Sequence, residues 1–130
     1  MFDLDRPAVA IARGPLLARQ PLRLLAETLM PIAGPRYRFN AGMVDGAPEE
    51  RGVYGLWDGE DLIFLGRSQG ALTIQHALRE HLSGRAGPCT SRATHYAWEL
   101  CFEPVEREAE LLAAFKAQFR RVPRCNAAPP

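Results

Sequence analysis

Apolar residues crowd two short runs, residues 52–57 and 61–66, separated by Asp58-Gly59-Glu60. Two such runs around a glycine-bearing tight loop predict a β-hairpin. Pairing about Gly59 would set Tyr54 across from Phe64 on one face of the sheet. The period then changes. Ile74, Leu78 and His81 recur at helical spacing, with Ala77 and Leu82 beside them, so residues 73–82 predict a helix. Gly84 and Gly87 are placed to stop it. Over residues 95–102 the alternation returns, with Tyr96, Trp98, Leu100 and Phe102 pointing one way. Pro104 opens a last helix reaching about residue 121, whose apolar stripe is Val105, Leu111, Leu112, Phe115 and Phe119. Strand, strand, helix, strand, helix is best satisfied by an α/β (α+β) domain: a small three-stranded antiparallel sheet flanked by helices.

Ahead of that domain the pattern is looser. Residues 1–15 hold Pro7, Gly14 and Pro15. Residues 16–30 predict a short amphipathic helix from about Pro21, with Leu22, Leu25 and Leu29 on one side. That stripe suits docking on the domain, on a protein partner, or on a second copy in a homodimer. Pro31, Gly34 and Pro35 end it. The expected organisation is therefore an N-terminal extension (1–35), a folded domain (36–126) and a frayed tail (127–130).

Composition narrows the class. The 130 residues carry a formal net charge of +1, so no global field draws the chain to DNA. Of 16 cationic residues only Lys116 is a lysine. Arginine forks suit phosphate and carboxylate, although a compositional bias towards arginine explains the count as well. Cys89, Cys101 and Cys125 form no C-x-x-C, and an odd number closes no disulfide framework. They are expected as reduced thiols of a cytoplasmic protein. A zinc site from Cys89 with His76, His81 or His95 lacks the spacing of a known finger. No signal peptide is evident, and no apolar run approaches the ~20 residues that cross a bilayer, so no membrane partner is expected.

The motifs carry more. Gly52-Val53-Tyr54 is followed after nine residues by Phe64-Leu65-Gly66 and then Arg67. Downstream come Leu78-x-x-His81-x-x-Gly84, the third strand, an acidic helix with Leu111-Leu112, and Pro123-x-x-Asn126. Over about residues 39–126 this string resembles the GIY-YIG nuclease family. The resemblance implies a metal-dependent endonuclease scaffold with a Mg²⁺ or Mn²⁺ ion at a helix glutamate and DNA or RNA as partner. Phosphodiester hydrolysis needs an activated nucleophile, a Lewis acid, and cations facing the charge that develops on phosphate.

Carried over residue by residue, Tyr54 matches the first tyrosine, which orients water or relays a proton. Phe64 stands where the family has its second tyrosine and cannot act as acid, base or donor. Arg67 matches the basic position after the second motif and could grip a phosphate. Ala77 falls where active members have a helix arginine, and Arg79 lies roughly 200° around the helix from it. His81 falls on the inner face as a candidate general base. Glu108 is the candidate metal ligand, with Glu110 the alternative if the register differs. Asn126 matches a closing asparagine suited to bonding backbone. Arg67, Arg79, Arg85 and Arg92 are the candidate nucleic-acid contacts. Each has a structural alternative: strand packing for Tyr54, a satisfied buried imidazole for His81, an ion pair between Glu108 and Arg67, solvated charge for the other arginines.

Three readings follow. One is a degenerate domain that binds nucleic acid or a protein partner with little or no cleavage. The second is an active metal-dependent endonuclease using Tyr54, Arg67, His81 and Glu108. The third is an interaction module working through residues 16–30. Geometry separates the first two: catalysis needs Glu108, His81 and Tyr54 on one cleft open to a metal, and fails if Arg67 seals Glu108.

Overall fold

The computed structural model describes residues 32–68 and 70–127 of the chain. Its elements in chain order are β1 (Tyr37–Arg38), α1 (Ala41–Val44), β2 (Gly52–Asp58), β3 (Asp61–Arg67), α2 (Ile74–Leu82), α3 (Pro88–Ser91), β4 (His95–Leu100), α4 (Pro104–Phe119) and α5 (Arg124–Ala127). The expected α+β architecture is present, but the antiparallel sheet has four strands in the order β1-β4-β2-β3. The additional strand pairs Tyr37 with Tyr96 and Arg38 with His95. At two residues it is too short to carry a period, yet it covers the free edge of β4.

The hairpin register corrects the expectation. Tyr54 faces Gly66, and Phe64 faces Leu56. The two-residue turn pairs Asp58 with Asp61, one residue off the expected frame. That slip alone would turn Phe64 to the opposite face from Tyr54. An irregularity between Leu56 and Trp57 leaves Ile63 without a partner and restores the parity. Tyr54 and Phe64 therefore share a face, with ring centroids 6.1 Å apart, although they are not paired.

The strands separate two clusters. Tyr54, Leu56, Ile63 and Tyr96 pack with Ile74 and Leu78 of α2 and Val44 of α1. Val53, Trp57, Leu62, Leu65 and Ala97 pack with Leu111 and Phe115 of α4 and with Ile32. The α2 helix starts where Thr73 caps it, its hydroxyl accepting from His76 N at 3.0 Å. The α4 helix starts at Pro104 and stops at Arg120, whose φ of 61° is left-handed.

The α4 stripe is narrower than predicted, because Val105 and Phe119, at the two ends, are exposed. Leu111 and Phe115 are the stripe residues buried against β2 and β3. Phe102 is 91% exposed and lies beyond β4. The ladder with β2 ends at the Gly52–Leu100 pair, so no strand remains to hold residue 102.

The expectation of three reduced cysteines is also corrected. Cys89 of α3 and Cys125 of α5 form a disulfide, leaving Cys101 free. Counting could not anticipate this, since an odd total still allows one bridge. The thiol argument for a cytoplasmic location loses its basis. Among the described residues, no helix is long and apolar enough to cross a membrane. The predicted 16–30 helix lies outside the described residues, and Ala127, expected in the frayed tail, belongs to α5.

Candidate functional site

Tyr54 stands on the α2 side of β2, almost fully buried. Its ring lies over the backbone of Gly66. A Cβ on Gly66 would sit 2.7 Å from both Cζ and Oη of Tyr54 and 2.6 Å from Cε2 of Phe64. Real contacts are never that short, so residue 66 must be glycine for both rings to remain where they are.

The Tyr54 hydroxyl is 2.9 Å from Nε2 of His81, in the last turn of α2. On its other side, His81 Nδ1 lies 2.7 Å from the hydroxyl of Thr90 on α3. A neutral imidazole has one donor and one acceptor, and two hydroxyls satisfy both whichever tautomer is adopted. Thr90 escaped sequence reasoning; the one clue was that a histidine on a buried helix face needs partners for both nitrogens.

Burial dominates the electrostatics. It lowers the His81 pKa to about 4, with the charge of Glu80 pulling weakly the other way. It raises the Tyr54 pKa well above the ordinary tyrosine value, an effect that Glu108 reinforces and Arg67 offsets. Transfer of the phenol proton to the imidazole is disfavoured at both ends. The pair is a neutral hydrogen-bonded unit at physiological pH. Phe64 covers it, its ring centroid 4.8 Å from that of His81.

Arg67 ends β3, and its guanidinium Nη1 donates to Glu108 Oε1 of α4 in a short ion pair. The side chains are 29% and 16% exposed, so solvent screens the pair only in part. Glu108 lies one turn before Leu111 and Leu112, on the side of α4 that meets the sheet, as the spacing predicted. Glu110 turns outward and meets Arg107 Nη1 at 3.1 Å, while Arg107 also grips Glu99 at 2.6 and 3.0 Å.

Tyr54 sits within electrostatic reach of Arg67 and Glu108, but the four side chains form two separate hydrogen-bonded pairs, Tyr54 with His81 and Arg67 with Glu108. The other candidate contacts lie elsewhere. Arg79 pairs with Asp45 at 2.9 Å and Arg85 with Glu80 at 3.2 Å, both on the surface. Arg92 is exposed at the end of α3. Ala77 packs against the inner cluster, with no cation in its place. An open groove of about 210 Å³ does reach Arg67, with Arg51, Phe102 and Val105 on its walls.

Asn126 has the backbone role expected of it. Its amide accepts from Leu65 N and donates to Leu65 O, both at 2.9 Å, as a neighbouring strand would. This covers the outer edge of β3.

A divalent cation fits poorly. Among the described residues, no group of three or more His, Cys, Asp or Glu side chains is disposed to hold one. Glu108 offers one carboxylate, already facing a guanidinium. The zinc set is excluded at its first member, because a cysteine in a disulfide is no thiolate ligand. Comparison with known proteins finds no matching family model, no matching curated protein and no matching solved structure.

Proposed function

We propose that the chain is a GIY-YIG-like domain that has exchanged phosphodiester hydrolysis for binding, with nucleic acid as its partner. The observation that carries this reading is the Arg67–Glu108 pair. In a nuclease of this type the carboxylate would hold Mg²⁺ or Mn²⁺, and the metal would supply Lewis-acid chemistry at the phosphate. Here the same carboxylate neutralises the arginine, and a second cation beside the guanidinium would be repelled. Phe64 removes one hydroxyl and Ala77 one cation from the set the resemblance implies. Each such loss is worth roughly 10² in rate or more. The strand pair, Gly66 under Tyr54, and Asn126 on the sheet edge support the scaffold half of the proposal.

The binding half rests on Arg51 beside exposed Phe102, in a groove that Glu103 and the Glu108-paired Arg67 also line. Arginine forks take phosphate oxygens, and an exposed aromatic suits an unpaired base. With net charge +1 the affinity should be modest and fall steeply with salt.

The alternative is hydrolysis, for which Tyr54 Oη lies 2.9 Å from the imidazole of His81, although burial disfavours proton transfer between them. A cleavage assay on single-stranded, duplex and branched DNA with Mg²⁺ or Mn²⁺, beside Glu108→Ala, decides between the two. Cutting that needs metal and vanishes in the variant establishes the nuclease. Salt-sensitive retention without cutting supports binding. Neither, with a dimer on size-exclusion chromatography, moves the case to a protein interaction through residues 16–30.

A further inference from the structure

Two short helices border the inner cluster, and one covalent bond joins them. The α3 helix brings the Thr90 hydroxyl to His81 Nδ1 at 2.7 Å. The α5 helix brings the Asn126 amide to both backbone groups of Leu65 at 2.9 Å. Each helix has only four residues, too few to be stable alone. The Cys89–Cys125 disulfide ties one to the other, with Cα atoms 5.7 Å apart across 36 residues of sequence. We infer that this disulfide is a redox-controlled latch: reduction by a dithiol releases α5 from β3 and loosens Thr90 beneath the Tyr54–His81 pair. The inference stands independently of the nuclease resemblance.

The chemistry has a direction. Cys125 is buried at 7% exposure, and Cys89 is the more exposed of the two residues. A dithiol thiolate attacks Cys89 Sγ, the S–S bond breaks, and Cys125 leaves as thiolate. The second thiol of the reductant then attacks the mixed disulfide, freeing Cys89 and leaving the reductant oxidised as a cyclic disulfide. The Cys125 thiolate is born in the apolar cluster with Tyr54, Leu56 and Ile63. An anion there must take up a proton or move to solvent. Movement to solvent carries α5, and with it Asn126, off the strand edge. Leu65 N–H and C=O are then uncovered on β3.

The test uses the full chain carrying Cys101→Ser, so that the bridge is the one redox couple. The protein is poised in mixtures of reduced and oxidised dithiothreitol while amide exchange and the His81 ring resonances are followed by NMR. Reduction is expected to accelerate exchange at the Leu65 amide at least about tenfold. It should also shift the His81 resonances and leave the β2–β4 ladder protected, with reoxidation reversing each change. No change at Leu65 or His81 overturns the inference. So does loss of the β2–β4 ladder together with Leu65, which would make the bridge a global staple. Asn126→Ala is the second arm: in the oxidised protein it should itself speed Leu65 exchange. Unaltered exchange in that variant shows that the clamp does not protect the edge, and the latch fails.

Discussion

Tyr54 and Gly66 face each other across the hairpin, and the tyrosine ring occupies the space a side chain at residue 66 would need. Gly66→Ala therefore does more than stiffen a strand. The added methyl meets both Tyr54 and Phe64, and moving either ring disturbs the bond to His81. The expected cost is roughly 1–3 kcal/mol, that of overpacking a filled site. Urea denaturation measures it. An alanine variant as stable as wild type, with its Tyr54–His81 bond intact by NMR, would contradict the packing described.

His81 predicts a pH dependence of stability. The unfolded chain binds a proton at this residue near pH 6.5, the folded one only near about 4. Between these values the unfolded state holds the extra proton, so stability is complete above about pH 6.5 and falls as pH drops towards 4. The full loss is about 3 kcal/mol for a shift of this size. The difference in unfolding free energy between wild type and His81→Gln should therefore shrink between pH 7 and pH 4.5. A difference that stays constant across that range would mean that His81 is not held neutral by burial.

For Arg67 and Glu108, the single variants should be worse than the double. Arg67→Ala leaves a carboxylate that is mostly shielded from water without its guanidinium, at an expected cost of roughly 1–3 kcal/mol. Adding Glu108→Ala removes the stranded charge and should recover part of that loss. Additive effects in the double-mutant cycle would show that the two side chains are not coupled, and the argument that Arg67 closes Glu108 to a metal would go with them.

Phe64→Tyr restores the hydroxyl whose absence argues against hydrolysis. The half-buried ring should tolerate it, with a stability change within about 1 kcal/mol. No metal-dependent cutting is expected, because Glu108 remains held by Arg67. Turnover gained by this one substitution would refute the binding reading directly.

Local chemistry accounts for what was readable beforehand. The spacing of Ile74, Leu78 and His81 announces α2, because a 3.6-residue period is a property of a few neighbouring residues. Glu108 three and four residues before Leu111 and Leu112 places its carboxylate on the sheet side of α4 for the same reason. What failed was non-local. The hairpin frame depended on Ile63 standing unpaired in the ladder while its side chain joins the inner cluster. The alternation running on to Phe102 ended at Leu100 because β2 has no residue left to pair.

By itself, then, the sequence determined the order and kind of the principal elements and which face each presents, since caps, turns and periodicity act between close neighbours. The tertiary structure alone decided the partnerships: Thr90 under His81, Arg67 on Glu108, Asn126 on Leu65 and Cys89 with Cys125. Each joins residues brought together only when the sheet closes, where burying a polar group without a partner would cost more than ordering the chain that supplies one.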